Sequence, residues 1–174
     1  MGWWLTGAAV VGGLLWVFKG GVILLGYGQP EHAFEVAPLL FALVTLGLAR
    51  QAPLRGAGRV GVAALAVVAV LCCLVAAVSS VVTGDVLGPD LLAGMVTMTA
   101  ALVVAGLSLR RTDPRLGGLV LLLGTAMIPV MAVGGALSLV DERLLEVAVV
   151  AIGLAWMAVA GALLPFDRRS ESAV

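Results

Sequence analysis

The residues best able to do chemistry lie near the start of the chain. Lys19 stands in the segment GLLWVFKGGVILLGYG, where every other residue is apolar or glycine. Glu31, His32 and Glu35 follow soon after it. An amine, an imidazole and two carboxylates in one neighbourhood could form an ion pair, relay protons or catalyse acid–base chemistry. No other part of the sequence combines these groups.

Lys19 has three interpretations. A bare ammonium at the centre of a bilayer costs about 3 kcal/mol on insertion scales, so the side chain needs an outlet or a partner. It could extend to the interface and anchor its helix, form a buried structural ion pair, or act as a functional charge in a pathway. A turn near Gly28–Pro30 would bring Glu35 within about two helical turns of Lys19 in depth. We therefore predict a Lys19–Glu35 pair, with Lys19–Glu31 as the alternative.

Acidic residues form a second candidate site, an outer acidic vestibule. Its members are Asp85, Asp90, Asp141, Glu142 and Glu146. They lie around the first turns of the fourth and sixth predicted helices, where carboxylates cap free N–H groups and complement the helix dipole. That structural role accounts for them without any function. The functional alternative is a mouth that gathers cations, which requires the two groups to converge.

The fifth predicted helix contains a proline. Pro129 cannot donate a hydrogen bond to the carbonyl of Thr125, so the sequence predicts a kink between these residues. A broken helix with free carbonyls is one way in which transporters bind ions near mid-membrane. A kink in a purely structural helix is an equally good explanation.

Several kinds of chemistry find no support in the sequence. A single histidine excludes a multi-histidine metal site, and the adjacent Cys72 and Cys73 lack the spacing of a redox pair or a zinc site. There is no nucleophile elbow, phosphate-binding glycine loop or zinc-protease motif. The net charge is zero and no basic run occurs. We predict no catalytic residue, no metal, no cofactor and no nucleic-acid partner.

The elements that position these residues follow from composition. The 174-residue chain is 62% hydrophobic and 11% charged, and its mean hydropathy is +1.18. Soluble domains are about one-quarter charged, and a chain of this length could not bury so much apolar surface from water. The sequence predicts an all-α transmembrane bundle, because lipid offers no partner for free backbone groups.

Six segments are long enough to span a bilayer. They are residues 4–26, 33–49, 60–82, 91–109, 116–140 and 146–164, with a short tail at 165–174. They form a single integral membrane domain over residues 1–174, arranged as three tandem hairpins. The connections after the second and fourth spans and the tail carry eight arginines, against one on the other side. The positive-inside rule then places both termini in the cytoplasm.

Small residues recur at four-residue spacing in several spans, which favours close helix packing and a homo- or hetero-oligomer within the lipid bilayer. The bias toward Arg over Lys and toward Ala, Val, Gly and Leu is associated with bacterial genomes, so we expect a bacterial plasma-membrane protein. The leading hypothesis is a non-enzymatic accessory, assembly or scaffold component. One alternative is a small transporter or channel that uses Lys19, Glu35 and the kinked fifth span. The other is an intramembrane enzyme that uses Glu31, His32 and Glu35 on a lipid-borne substrate.

Overall fold

The computed structural model describes residues 3–28, 33–84, 88–141 and 143–171, without the side chains of 33–35 and 165–171. Over this part of the chain the fold is entirely helical, as predicted. The helices are α1 (Trp3–Leu24), α2 (Ala33–Gln51), α3 (Gly56–Thr83), α4 (Gly88–Leu109), α5 (Pro114–Leu137) and α6 (Leu144–Glu171).

Five of the six described helices are long and apolar enough to cross a membrane. For α2 (19 residues), the part described with side chains is Val36–Gln51, which is shorter than a span. Helix α6 continues to Glu171, and the part described with side chains that could cross a membrane is Leu144–Leu164. The apolar helices indicate a membrane-embedded protein. The count of six spans and the orientation of the termini stay predictions.

The helices form a closed ring. Each packs against its neighbours in sequence, α1 also packs against α6, and α2 additionally contacts α4. The first and last helices therefore share one interface, and they run antiparallel because an odd number of chain reversals separates them. This closure brings residues near the start and the end of the sequence into contact.

Two helix ends illustrate how the sequence sets the turns. At α5, the Asp113 carboxylate accepts backbone N–H groups of Arg115 and Leu116 at 3.1 and 3.0 Å, with Pro114 in the first turn. Helix α3 ends at Gly84, whose φ of +75° is the left-handed conformation that glycine adopts at helix ends.

Glycines allow the backbones of neighbouring helices to touch. A Cβ on Gly13 of α1 would lie 2.7 Å from the carbonyl oxygen of Gly153, and a Cβ on Gly153 would lie 2.8 Å from the oxygen of Gly13. Between α4 and α5, a Cβ on Gly124 would lie 2.9 Å from the backbone nitrogen of Val103. Close backbone approach of this kind is how helices associate in lipid, where the hydrophobic effect does not drive them together.

Most of the predicted small-residue surfaces lie inside the chain. The buried members on α1, α3 and α4 are Ala9, Gly12, Gly13, Ala69, Cys73, Ala77, Ala101 and Ala105. On α6, by contrast, Ala151 is exposed and Ala155 is partly exposed. The α6 surface is therefore a small-residue surface that remains open to a neighbour, and Ala93 at the start of α4 is exposed as well.

Candidate functional site

An ion pair joins the first and last helices. Lys19 Nζ on α1 donates a hydrogen bond to Glu146 Oε1 on α6 at 2.6 Å. The two side chains are only 3% and 7% exposed. Lys19 thus lies inside the bundle and does not extend to its surface.

The glycine after Lys19 makes room for this contact. A Cβ on Gly20 would lie 2.9 Å from the carbonyl oxygen of Glu146 and 2.6 Å from Val150 Cγ2. Gly13 faces Gly153 and Gly20 faces Glu146, so the same seven-residue step separates the two contacts on each helix. Seven residues are two turns, which keep both contacts on one face of each helix. The backbone approach of α1 and α6 therefore holds the ion pair in place.

The two oxygens of the Glu146 carboxylate have different surroundings. Glu146 lies in the first turn of α6, where the helix dipole favours a negative charge, and Lys19 supplies the counter-charge. Its second oxygen, Oε2, is buried and has no hydrogen-bond partner among the described residues. A buried carboxylate oxygen without a donor is costly, and Oε2 of Glu146 remains a free hydrogen-bond acceptor among the described residues.

Aromatic side chains fill the bundle beside the ion pair. Trp16, about one turn from Lys19 on α1, meets Phe41 of α2 edge to face at a centroid distance of 5.2 Å. Phe41 stacks on Trp156 of α6 at 4.6 Å, with their planes 2° apart. All three are fully buried and pack α1, α2 and α6 against one another. They lie farther from the α1–α2 turn than the ion pair does.

Sequence reasoning identified Lys19 but not its partner in the structure. Glu146 is 127 positions away, and we predicted a pair within the first hairpin. The available signal was the seven-residue spacing of Gly13 and Gly20 beside Lys19. Glu31 and His32 lie outside the described residues, as does the side chain of Glu35. The Lys19–Glu35 and Lys19–Glu31 pairs therefore stay predictions.

The structure describes three of the five residues of the predicted acidic vestibule, and their burial differs. Glu146 is buried against α1, because the contact at Gly20 turns this part of α6 toward the interior. Asp141 is exposed, and its Oδ1 accepts the backbone N–H of Arg143 at 3.0 Å, while Asp90 is partly exposed in the first turn of α4. Asp85 and Glu142 lie outside the described residues. Convergence of the vestibule on one mouth stays a prediction.

The predicted kink residues lie on the outer surface. Thr125 and Pro129 are both exposed, within the single helix α5. The Thr125 hydroxyl donates to the carbonyls of Leu121 and Leu122 at 2.9 and 3.1 Å, so it is engaged within its own helix. Pro129 lines an apolar cavity of about 380 Å³ between α5 and α6. Neither residue contributes to the ion pair.

Among the residues that the structure describes, no three His, Cys, Asp or Glu side chains form a group that could hold a metal ion. The class of protein that fold and site define is a membrane-embedded helical bundle with an internal ion pair. Comparison of the chain with protein-family models, with curated proteins and with solved structures finds no match.

Proposed function

We propose that this protein is a non-enzymatic component of the bacterial plasma membrane, an accessory, assembly or scaffold subunit. The observation that carries the proposal is that Lys19 and Glu146 pair with each other inside the bundle, between two helices whose backbones touch. This arrangement favours a structural ion pair over a polar pathway.

A groove on the outer surface offers a place for a partner helix. Two adjoining cavities between α5 and α6 share Val130 and Ala151, and together they extend from Leu119 to Leu137 along α5. At 1.5 Å per residue this length is about 27 Å, close to the hydrocarbon thickness of about 30 Å. A groove of full bilayer depth with small residues along α6 suits a transmembrane helix, from a second copy or from another protein.

The test is the state of assembly in mild detergent. Ala151→Leu and Ala155→Leu place bulk in the groove, whereas Ala93→Leu makes the same change at an exposed position of α4 outside these cavities. We expect the two α6 variants to lose oligomers or co-purifying subunits, measured by light scattering and cross-linking, while the α4 variant retains them. Equal assembly in all three variants, or a monomeric wild type with no partner, would contradict the proposal.

A small proton or ion transporter is the second candidate, favoured by the unpartnered Oε2 of Glu146. Ionisable groups inside membranes commonly mark ion or proton pathways. The exchange Lys19→Glu with Glu146→Lys keeps a pair, whereas Lys19→Met with Glu146→Gln removes both charges. A structural pair predicts a folded exchange variant and no charge-dependent flux in liposomes. A wild-type proton flux that disappears in the uncharged variant would favour transport.

A further inference from the structure

A depression lies on the outer surface between α3 and α4, separate from the groove between α5 and α6. Its volume is about 520 Å³, and its lining includes Gly58, Gly61, Ala64, Leu65, Val68 and Val104. A Cβ on Gly61 would meet no atom within 4 Å, and one on Gly58 would meet only Leu54 Cδ2 at 3.9 Å. The depression is thus open and apolar, and it runs from the N-terminal end of α3 toward the middle of the bundle.

Four arginines lie at the end of the bundle where this depression begins. A Cβ on Gly94 of α4 would lie 2.7 Å from Cys73 Sγ and 3.3 Å from the Cys73 backbone nitrogen on α3, so these residues are level. Because the two helices are antiparallel, Arg110 is level with about residue 57. Arg110 and Arg111 therefore lie within about one helical turn in depth of Arg55 and Arg59.

These arginines are available to an anion. Arg55, Arg59, Arg110 and Arg111 are all exposed, and none forms an ion pair with a carboxylate in the described part of the chain. The nearby carboxylate of Asp113 already accepts two backbone N–H groups at the start of α5. Arg55 is also the N-cap residue of α3, but its side chain accepts no hydrogen bond from the helix. The first N–H groups of α3 therefore have no side-chain acceptor at the N-cap.

We propose that this end of α3 and α4 binds an acidic phospholipid, with its phosphate among the four arginines and an acyl chain in the depression. Guanidinium groups bind phosphate oxygens in a bidentate manner, and basic pockets between membrane helices bind acidic head groups. The depression extends from Gly58 to Val68, about 15 Å at 1.5 Å per residue, which is the depth of one leaflet. That depth fits an acyl chain better than a spanning helix.

The proposal rests on the membrane location in the proposed function but not on its assembly partner. Purified full-length protein in mild detergent is titrated with phosphatidylglycerol, with phosphatidylcholine of the same acyl chains, and with inorganic phosphate, and binding is followed by native mass spectrometry and thermal unfolding. We expect phosphatidylglycerol to bind and stabilise the protein. Equal binding of phosphatidylcholine, or full competition by inorganic phosphate at comparable concentration, would overturn the proposal.

Variants separate the head-group site from the acyl-chain site. Arg59→Gln with Arg110→Gln should weaken phosphatidylglycerol binding about 30-fold, since each arginine near an acidic surface contributes about fivefold. Arg143→Gln, an exposed arginine on the loop between α5 and α6, should leave binding unchanged. Gly61→Leu should fill the depression and weaken binding while the arginines remain.

Two controls keep these outcomes interpretable. Arg59→Lys with Arg110→Lys retains the charge and should recover part of the affinity if the glutamine variant is folded but defective in binding. An unaffected Gly61→Leu variant would overturn the acyl-chain assignment. These changes lie on α3 and α4, outside the groove between α5 and α6. A protein that forms oligomers but does not bind phosphatidylglycerol would contradict only this inference. A protein that binds phosphatidylglycerol but forms no oligomer or complex would contradict only the proposed assembly role.

Discussion

A lysine inside an apolar helix is tolerated here because its charge is paired within the fold. Removing two ions from water costs several kcal/mol each, and their attraction at 2.6 Å offsets that cost only while both are present. The Lys19–Glu146 pair therefore acts less as a source of stability than as a constraint on register. We expect it to favour the alignment of α1 and α6 in which the two charges face each other.

Removing one charge should cost much more stability than removing both. We expect Lys19→Met or Glu146→Gln alone to destabilise the protein by about 3–5 kcal/mol, because each leaves a buried polar group without its partner. The double variant should recover most of that loss. The measurement is a double-mutant cycle on reversible unfolding in detergent. Additive losses in the cycle would show that the two side chains do not depend on each other.

At the same scale, the sequence predicted the unusual residue but not its contact. Lys19 is identifiable because a charge in an apolar run needs an explanation, whatever the fold. Its partner depends on which helices meet, and charge spacing along one hairpin contains no information about a contact between the first and last helices. The side chain of Glu35 lies outside the described residues, so the predicted pair in the first hairpin stays a prediction.

At the scale of the elements, the helices themselves were predictable. Apolar runs of about 20 residues between charged connections define helices in lipid, and the six described helices match those runs to within a few residues at most ends. The pairing of helices was less accessible. It depends on where backbones can touch, and a glycine that permits contact looks the same in sequence as one that faces lipid.

Two glycines of α6 test this distinction. Gly153 touches the backbone of α1, whereas a Cβ on Gly161 would meet no atom within 4 Å. Gly153→Ala should destabilise the protein, because its methyl group would lie 2.8 Å from the Gly13 carbonyl oxygen and only a backbone shift could relieve that. Gly161→Ala should cause no loss. Thermal unfolding in detergent compares them, and equal midpoints would argue against a tight α1–α6 contact.

At the scale of the whole molecule, charge separates the two ends of the bundle. The ends of α2 and α4 and the starts of α3 and α5 carry Arg50, Arg55, Arg59, Arg110, Arg111 and Arg115. Among the described residues, the opposite end has one arginine, Arg143. Successive helices in the ring reverse direction, so the connections that carry these arginines all lie at the same end of the bundle. By the positive-inside rule, such a charge difference between the two ends can set the orientation during insertion.

Cysteine labelling tests that orientation. In a background of Cys72→Ala and Cys73→Ala, single cysteines replace Ala57 and Thr112 at the arginine-rich end and Leu139, which is 89% exposed, at the other. If arginine-bearing connections stay in the cytoplasm, a membrane-impermeant maleimide added to intact cells should label only position 139. Positions 57 and 112 should react after permeabilisation, which also controls for their accessibility. If the maleimide labels positions 57 and 112 from outside, the orientation in the membrane is the reverse of the predicted one. If it labels only one of these two positions, α3 and α4 do not cross the bilayer as a hairpin.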